Sequence, residues 1–258
     1  MIPAIIIARG GSVRIPRKNV KLFCGLPLVE WSILQAVNSH HIGAENIYLS
    51  TDDDEIASIG EKHKINIIRR PDWKDPDSLS GGVPVRHALD TIYKTRDFDA
   101  FMTILPTSPL RLPGDMDRII DKYTWEIGNE DWICITWMVP QQEVDIFRMQ
   151  NETHTYRWLL NKTGKLAKEA VNAILFNRAP QMSLPVMSTS ENKDAYQNKL
   201  YLRPGKHSAL VHYITAEWFQ QFEIDIIDQF QFCEVLMEHY ILKGRGAEIY
   251  EEYARSKS

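Results

Sequence analysis

The chain has 258 residues, of which 44% are hydrophobic and 25% charged, and its formal net charge at pH 7 is −4. This length and hydrophobic fraction suffice for one folded domain, or for one domain with an appended subdomain, and they argue against extensive disorder. The charges are mixed along the chain, which argues against general nucleic-acid binding and membrane-surface binding, because both need a basic excess. Any anion site must therefore be local.

The spacing of the cysteines and the length of the apolar segments indicate in which cellular compartment the protein is expected. Cys24, Cys134 and Cys233 are far apart and odd in number, which fits neither a disulfide framework nor a Cys-rich zinc site. No stretch approaches the roughly 20 apolar residues that span a bilayer, and the first residues lack the pattern of a secretory signal. We expect a cytoplasmic protein that binds neither nucleic acid nor a membrane.

Short apolar runs alternate with amphipathic stretches in the first half of the chain, which is typical of βα units on a parallel sheet. The predicted elements are strand 2–8, helix 27–39, strand 46–50, helix 53–63, strand 65–68, helix 83–94, strand 98–105, helix 115–125 and strand 133–138. A strand at 209–214 and a helix at 226–242 follow later. This order predicts an α/β fold with a doubly wound, mostly parallel sheet, whose ligands bind where strands end.

Residues 140–206 interrupt this rhythm with clusters of Pro, Asn, Gln and Ser and only short apolar runs. We expect an excursion from the sheet that is too long for a bare loop in a compact domain. An interaction arm or a small β-subdomain fits better. The predicted organisation is a nucleotide-binding core at 1–139, an inserted arm at 140–206, and a return to the core at 207–258.

The loop ARGGSVRIPRKN, residues 8–19, follows the first predicted strand and contains four cations and no acid. Its glycines let backbone N–H groups approach phosphate oxygens, and its Arg and Lys side chains can donate charge-assisted hydrogen bonds. These features suit a triphosphate, although a solvated basic loop is the alternative. The spacing matches neither the P-loop nor the dinucleotide fingerprint.

This loop resembles the signature of the CMP-sialic acid synthetases, which are cytidylyltransferases related to the CMP-Kdo synthetases. Residues 50–71, 104–111 and 222–230 resemble three further segments of that family, in the same order. The resemblance implies a Rossmann-like nucleotidyltransferase fold with an inserted dimerisation arm, and therefore a homodimer. It also implies Mg²⁺-dependent transfer of CMP from CTP to a sugar acid of the nonulosonate or ulosonate class, with release of pyrophosphate.

The same resemblance assigns the residues of the loop. Arg9, Ser12 and Lys18 match positions that contact the triphosphate, and Arg9 and Lys18 are expected to act in catalysis. Asn19 is expected at the ribose or the base edge. The pair Val13-Arg14 stands where the sialic acid enzymes usually have Lys-Gly, so Arg14 is expected to supply the lysine's charge from one residue later.

Arg70 matches the family's base-pocket arginine, which implies donation to the cytosine carbonyl. The alternative is a partner for a nearby acid, Asp72 or Asp75. Ser80 precedes a predicted helix, where free N–H groups favour an oxygen-bearing ligand, although serine is also a common N-cap.

Glu223 and Asp225 are two residues apart in FEIDI, so on an extended segment both would point to the same side. The resemblance implies that they bind Mg²⁺ and that Asp225 takes part in catalysis; an ordinary exposed face is the alternative. The run 52–54 of three aspartates is interpreted instead as a helix start, in which an acid caps the helix.

The segment LPTSPLR ends the fourth predicted strand of the sheet. The resemblance places Leu105, Thr107, Ser108 and Arg111 on the acceptor side, with Leu105 where relatives have a glutamine facing the sugar pocket. Arg203, in LYLRP, resembles an arginine of a later family segment and is the fifth expected acceptor residue.

Two other functions stay open from the sequence. The departures at Val13-Arg14 and Leu105 allow a cytidylyltransferase that activates a different acid, which need not be a sugar acid. The longer Glu223 in place of the family's aspartate allows a nucleotide-binding relative without turnover.

Overall fold

The computed structural model describes residues 2–73, 82–98, 100–126, 133–138, 144–145, 160–161, 173–177, 210–215, 217–245 and 250. The strands are β1 Ala4–Ile7, β2 Leu22–Phe23, β3 Leu26–Pro27, β4 Ile47–Thr51, β5 Asn66–Arg69, β6 Ala100–Ile104, β7 Ile133–Met138, β8 Val144–Asp145, β9 Leu160–Asn161, β10 Ala173–Asn177 and β11 Leu210–Thr215. The α-helices are α1 Leu28–Val37, α2 Asp54–Lys62, α3 Gly82–Tyr93, α4 Asp115–Glu126 and α5 Ile227–Leu236. Wider, π-type turns continue α5 over Met237–Arg245.

Seven strands form one central sheet in the order β11-β7-β10-β6-β1-β4-β5. β1 pairs in parallel with β4 and β6, β4 with β5, and β7 with β11, whereas β10 runs antiparallel to both of its neighbours. The predicted α/β class with a doubly wound, mostly parallel sheet is therefore confirmed. The predicted strands and helices agree with the observed ones to within about three residues at each end.

Strand β10 departs from the sequence prediction. It lies within residues 140–206, which we expected to leave the sheet, but it inserts between β6 and β7. Its apolar run, Ala173–Phe176, is too short to stand out as a strand among polar neighbours, yet its place between two strands gives it two hydrogen-bonding partners. This strand belongs to the sheet and not to an arm. The boundaries of the three predicted parts, and the dimerisation arm, stay predictions.

Both faces of the sheet are covered, as continuous apolar strands require. Along β1, Ile6 packs into a cluster with α1, α2 and α4, whereas Ile5 packs on the opposite face against α3. β4 alternates in the same way, with Leu49 on the first face and Tyr48 on the second. The loops at the carboxyl ends of these strands therefore stand on a rigid, buried base.

A third apolar cluster attaches the C-terminal helix to the loop side of the core. It joins the β2–β3 hairpin, α1 and α5, and Phe23 meets Phe230 edge-on with ring centroids 5.3 Å apart. Ile224, which is fully buried, belongs to the same cluster. This packing holds the acidic segment 223–225 beside the loop that follows β1. Within the described residues, no helix is both long and apolar enough to cross a bilayer.

Candidate active site

The candidate site lies where the order of the strands reverses. From β1 the chain passes to β4 and β5 on one side, and then crosses to β6 on the other side of β1. In sheets of this kind ligands bind at the carboxyl ends of the strands at this switch point. The loop 8–21 follows β1 here, and the segment 105–111 follows β6.

Two cations of the loop meet the acidic segment at this point. The Lys18 Nζ donates to the carbonyl oxygen of Ile224 at 2.7 Å and lies 3.9 Å from Asp225 Oδ1. Arg14 Nη1 forms an ion pair with Asp225 Oδ2 at 3.0 Å. The structure thus brings two predicted residues of the loop to a third, Asp225, from which they are separated by more than 200 positions in sequence.

Lys18 has an unusual electrostatic environment. Burial lowers its pKa, the carboxylates of Asp225 and Glu223 act in the opposite direction, and the cations Arg14 and Arg9 lower the pKa further. The Lys18 amine is thus under the influence of two carboxylates and two guanidinium groups. Such a mixed cluster of cations and carboxylates can bind a polyphosphate together with a metal ion.

Thr107 fixes the second carboxylate. Its hydroxyl donates to Glu223 Oε1 at 2.7 Å, and its carbonyl oxygen accepts from the backbone N–H of Ile224 at 2.7 Å. The residue was predicted to lie on the acceptor side. In the structure it joins the turn after β6 to the acidic segment at two points, so its hydroxyl orients Glu223.

Arg17, the fourth cation of the loop, points away from this cluster. Its guanidinium binds both oxygens of Asp53 and also Glu55 Oε2, at 2.5 Å for the latter. These acids raise the pKa of Arg17, and the hydrogen bond from Arg17 lowers the pKa of Asp53. Asp53 also caps α2 by accepting from the Ile56 N–H at 3.0 Å, which confirms the interpretation of the aspartate run as a helix start.

The glycine at position 10 is required by this arrangement. A Cβ atom there would lie 2.4 Å from Asp53 Oδ2 and 2.9 Å from Asp53 Cβ, whereas at Gly11 a Cβ would meet nothing within 4 Å. The Gly10 N–H donates to Asp52 Oδ1 at 2.8 Å. Sequence reasoning missed these two acids as anchors of the loop, because the run of aspartates alone signals only a helix start.

Asn19 and Arg9 are joined inside the loop. The Asn19 side chain is 6% exposed and donates from Nδ2 to the Arg9 carbonyl oxygen at 2.8 Å, while its own carbonyl accepts from the Val29 N–H. Asn19 shapes the loop from this buried position, and its contact with ribose or base stays a prediction. Ser12 lies half-buried in the same loop.

Arg70 lies at the end of β5, beside the end of β4. It donates from Nε to Ser50 Oγ at 3.0 Å and from Nη2 to the Ser50 carbonyl oxygen at 2.8 Å. Burial lowers its pKa to about 10, with Asp52 opposing this effect and Arg9 adding to it. Arg9 therefore lowers the pKa of both Lys18 and Arg70.

Arg111, which was predicted to lie on the acceptor side, is enclosed by the protein. Its side chain is 1% exposed and donates from Nη1 to Gln35 Oε1 at 2.8 Å and from Nη2 to the Leu105 carbonyl oxygen at 2.6 Å. Burial lowers its pKa to about 10. Enclosed in this way, Arg111 positions the turn from within, and its contact with an acceptor stays a prediction. Ser108 is also buried, whereas Leu105 is 38% exposed at the end of β6.

Comparison with known proteins agrees with this geometry. A profile of the cytidylyltransferase family matches residues 3–78. A pseudaminic acid cytidylyltransferase of Campylobacter jejuni is 37% identical over 155 residues, which cover 59% of this chain and 66% of that protein. An N-acylneuraminate cytidylyltransferase of Danio rerio is 29% identical over 176 residues, which cover 66% of this chain and 35% of that protein.

The chain belongs to the CMP-sialic acid synthetase-like family of cytidylyltransferases. The alignment spans only about a third of the length of the first fish relatives, 35% and 36%. Among solved structures, a CMP:2-keto-3-deoxy-manno-octonic acid synthetase complexed with CTP is similar in fold, with a TM-score of 0.62 at 16% identity. That similarity covers 92% of this chain and 98% of the other.

Some residues named in the sequence analysis cannot be placed in the structure. Ser80 and Arg203 lie outside the described residues, as does Asp75, the alternative partner of Arg70.

The chemistry of Glu223 and Asp225 fits Mg²⁺, because both offer hard carboxylate oxygens and Asp225 is half exposed. Among the described residues there is no group of three or more metal-ligating side chains, so a two-carboxylate site would take its other ligands from phosphate and water.

Proposed function

We propose that this family member is a Mg²⁺-dependent cytidylyltransferase that transfers CMP from CTP to a sugar acid of the nonulosonate or ulosonate class. The observation that carries the proposal is the meeting of Arg14 and Lys18 with Glu223 and Asp225 at the switch point of the sheet. The names of the relatives support the substrates, since they act on N-acylneuraminate and pseudaminic acid. We likewise propose a cytoplasmic homodimer.

In this mechanism the loop after β1 binds the triphosphate. Lys18, held by the Ile224 carbonyl, presents a fixed positive charge, and Arg9 and Arg14 add guanidinium donors. Arg70 binds the base, with its side chain oriented by Ser50. Reactions of this kind depend on positioning and on electrostatic stabilisation, and the protein forms no covalent bond with the nucleotide.

Glu223 and Asp225 would hold the metal ion. When bound, Mg²⁺ supplies positive charge that neutralises the phosphate oxygens and favours attack at phosphorus. Thr107 keeps Glu223 in place through its hydroxyl, and the paired backbone of Ile224 fixes the segment between the two carboxylates.

The acceptor's anomeric hydroxyl oxygen attacks the α-phosphorus of CTP, the bond from that phosphorus to the bridging oxygen breaks, pyrophosphate leaves, and the hydroxyl proton passes to water. Leu105 is exposed at the carboxyl end of β6, and we assign it to the acceptor side. An apolar side chain there offers contact area without a hydrogen bond, so the acceptor must present an apolar surface to this position.

Pyrophosphate release tests the proposal directly. The purified protein is assayed with CTP, UTP, ATP and GTP against a panel of sugar acids and non-sugar acids, with Mg²⁺ or with a chelator. We expect release with CTP and a sugar acid only when Mg²⁺ is present. Asp225→Asn should abolish it, whereas Asp228→Asn, an exposed carboxylate on α5, serves as the matched control.

Two results would redirect the assignment. Release with CTP and only a non-sugar acid would favour a cytidylyltransferase of different acceptor class. Calorimetric binding of CTP without release on any acceptor would favour a nucleotide-binding relative without turnover. Equal rates with all four nucleoside triphosphates would reject a cytidylyltransferase. Light scattering of the same preparation tests the homodimer.

A further inference from the structure

Asp225 is shared between two cations that differ in their freedom to move. Lys18 is largely buried and tied to the Ile224 carbonyl at 2.7 Å, so its amine is fixed. Arg14 contacts Asp225 Oδ2 at 3.0 Å, but its side chain is 65% exposed on the surface of the loop. Of the two partners, only Arg14 can leave the carboxylate without breaking buried contacts.

We propose that Arg14 occupies Asp225 in the nucleotide-free protein and moves from it to the triphosphate when CTP binds, so that the binding of CTP and of the metal ion are coupled. The inference rests on the proposed function, because it uses the same carboxylate as metal ligand and the same loop as triphosphate site.

The pair with Arg14 disfavours metal binding in the absence of nucleotide. A metal ion at Asp225 must displace the guanidinium from Oδ2 and bind beside two positive charges, since Lys18 lies 3.9 Å from Oδ1. An exposed ion pair of this kind is weak, and it is therefore easily exchanged for a better partner. The ion pair between Arg14 and Asp225 therefore competes weakly with the metal ion for the Asp225 carboxylate.

A triphosphate reverses this preference. It carries more negative charge than one carboxylate, and its oxygens match the planar fork of a guanidinium. Once Arg14 has moved to the phosphates, both oxygens of Asp225 face the metal with one cation fewer beside them. By linkage, the factor by which CTP strengthens metal binding equals the factor by which the metal strengthens CTP binding.

The experiment measures the binding of Mn²⁺, used as the probe for Mg²⁺, by the relaxation rate of water protons. Mn²⁺ is titrated into the protein without nucleotide and with saturating CTP, in the absence of acceptor. The variants are Arg14→Ala, Asp225→Asn and, as a matched control, Arg69→Ala. Arg69 forms an equally exposed ion pair with Asp54 at 2.9 Å, outside the site.

Arg14→Ala should strengthen Mn²⁺ binding to the nucleotide-free protein by about 1.5-fold to 5-fold, the range of an exposed ion pair. With CTP bound, the same substitution should give no strengthening, so the coupling factor falls by that ratio. Asp225→Asn should weaken Mn²⁺ binding in both states, and Arg69→Ala should change neither.

An equal strengthening by Arg14→Ala with and without CTP would overturn the inference, because Arg14 would then remain on Asp225 in the complex. No strengthening in either state would overturn it as well, as would unchanged Mn²⁺ binding in Asp225→Asn. In these cases CTP binding and pyrophosphate release by the wild-type protein would leave the proposed function intact. Absence of CTP binding to the wild-type protein would reject both.

Discussion

The Thr107 hydroxyl donates to Glu223 Oε1 at 2.7 Å and thereby joins two segments that are 116 residues apart in sequence. One segment ends a central strand of the sheet and the other precedes the C-terminal helix. The backbone carbonyl oxygen of Thr107 also accepts a hydrogen bond from the Ile224 N–H, so the backbones of the two segments are held together beside the side-chain hydrogen bond. Glu223 therefore has a defined orientation although its side chain is long.

Thr107→Val should raise the Mg²⁺ concentration at half-maximal pyrophosphate release by about 10-fold. A hydrogen bond to a charged group contributes about 1.5 kcal/mol, which is about a factor of 10 in an equilibrium constant. The KM for CTP at saturating Mg²⁺ should change much less. Thr91→Val, which removes a hydroxyl bonded to the His87 carbonyl on α3, is the control. A Mg²⁺ requirement that is equal in both variants would contradict the assigned role.

Gly10→Ala should lower the free energy of unfolding by about 1–3 kcal/mol, because the new methyl group would overlap Asp53. Gly11→Ala is the matched control. A Cβ there meets nothing within 4 Å, so its effect should stay below about 1 kcal/mol. Urea denaturation of both variants measures the difference, and equal losses would show that the approach of Asp53 does not limit position 10.

Arg111→Met should cost about 2–4 kcal/mol of stability, since Gln35 Oε1 and the Leu105 carbonyl oxygen would lose their donor inside the protein. Arg118→Met, at a half-exposed position on α4, should cost less than about 1 kcal/mol. Urea denaturation compares the two. A direct acceptor contact would instead give a stable Arg111→Met protein with a raised KM for the acceptor.

Asp115 predicts a pH dependence of stability. Burial raises its pKa to about 6 from 3.8, against hydrogen bonds from Gln220 and the Leu112 N–H. Between these two values the folded state holds more protons than the unfolded state, so its free energy of unfolding falls as pH rises through about 6. The stabilising contribution of this group is complete below pH 4 and is lost above the folded pKa.

Asp115→Asn stays uncharged and should lack this fall. Its stability relative to wild type should therefore rise by about 2–3 kcal/mol between pH 4 and pH 7, as the difference between a pKa of about 6 in the folded state and 3.8 in the unfolded state implies. Urea denaturation at several pH values measures it, with the exposed Asp228→Asn as control. A constant difference across this pH range would show that Asp115 titrates normally.

Much of the site was predictable because its parts follow strands. The run Ile2–Ala8 indicates a buried strand, and the loop after it must then lie at the carboxyl edge of the sheet. The contacts of individual charges were not predictable. Arg17 and Arg14 look alike in sequence, but Arg17 has a positive φ of 56° that directs its side chain to Asp53, while Arg14 reaches Asp225.

Arg111 and strand β10 show two further reasons why parts of the structure could not be predicted from the sequence. Arginine is rarely enclosed, and only the tertiary arrangement that brings Gln35 and the Leu105 carbonyl together makes its burial favourable. β10 is recognised as a strand only from its pairing with neighbouring strands. Over five residues the spacing of apolar side chains is too short a signal to distinguish a strand from a loop.

The antiparallel insertion of β10 also determines the order in which the sheet can be completed during synthesis. β1, β4, β5 and β6 lie within residues 4–104 and can pair with one another as soon as that part has left the ribosome. β7 is synthesised next, but both of its neighbours come later, at residues 173–177 and 210–215. Nascent β7 must wait for about 40 to 80 further residues, which is a few seconds of translation at ordinary rates. During that interval the exposed edge of β6 is the surface on which a premature pairing would form.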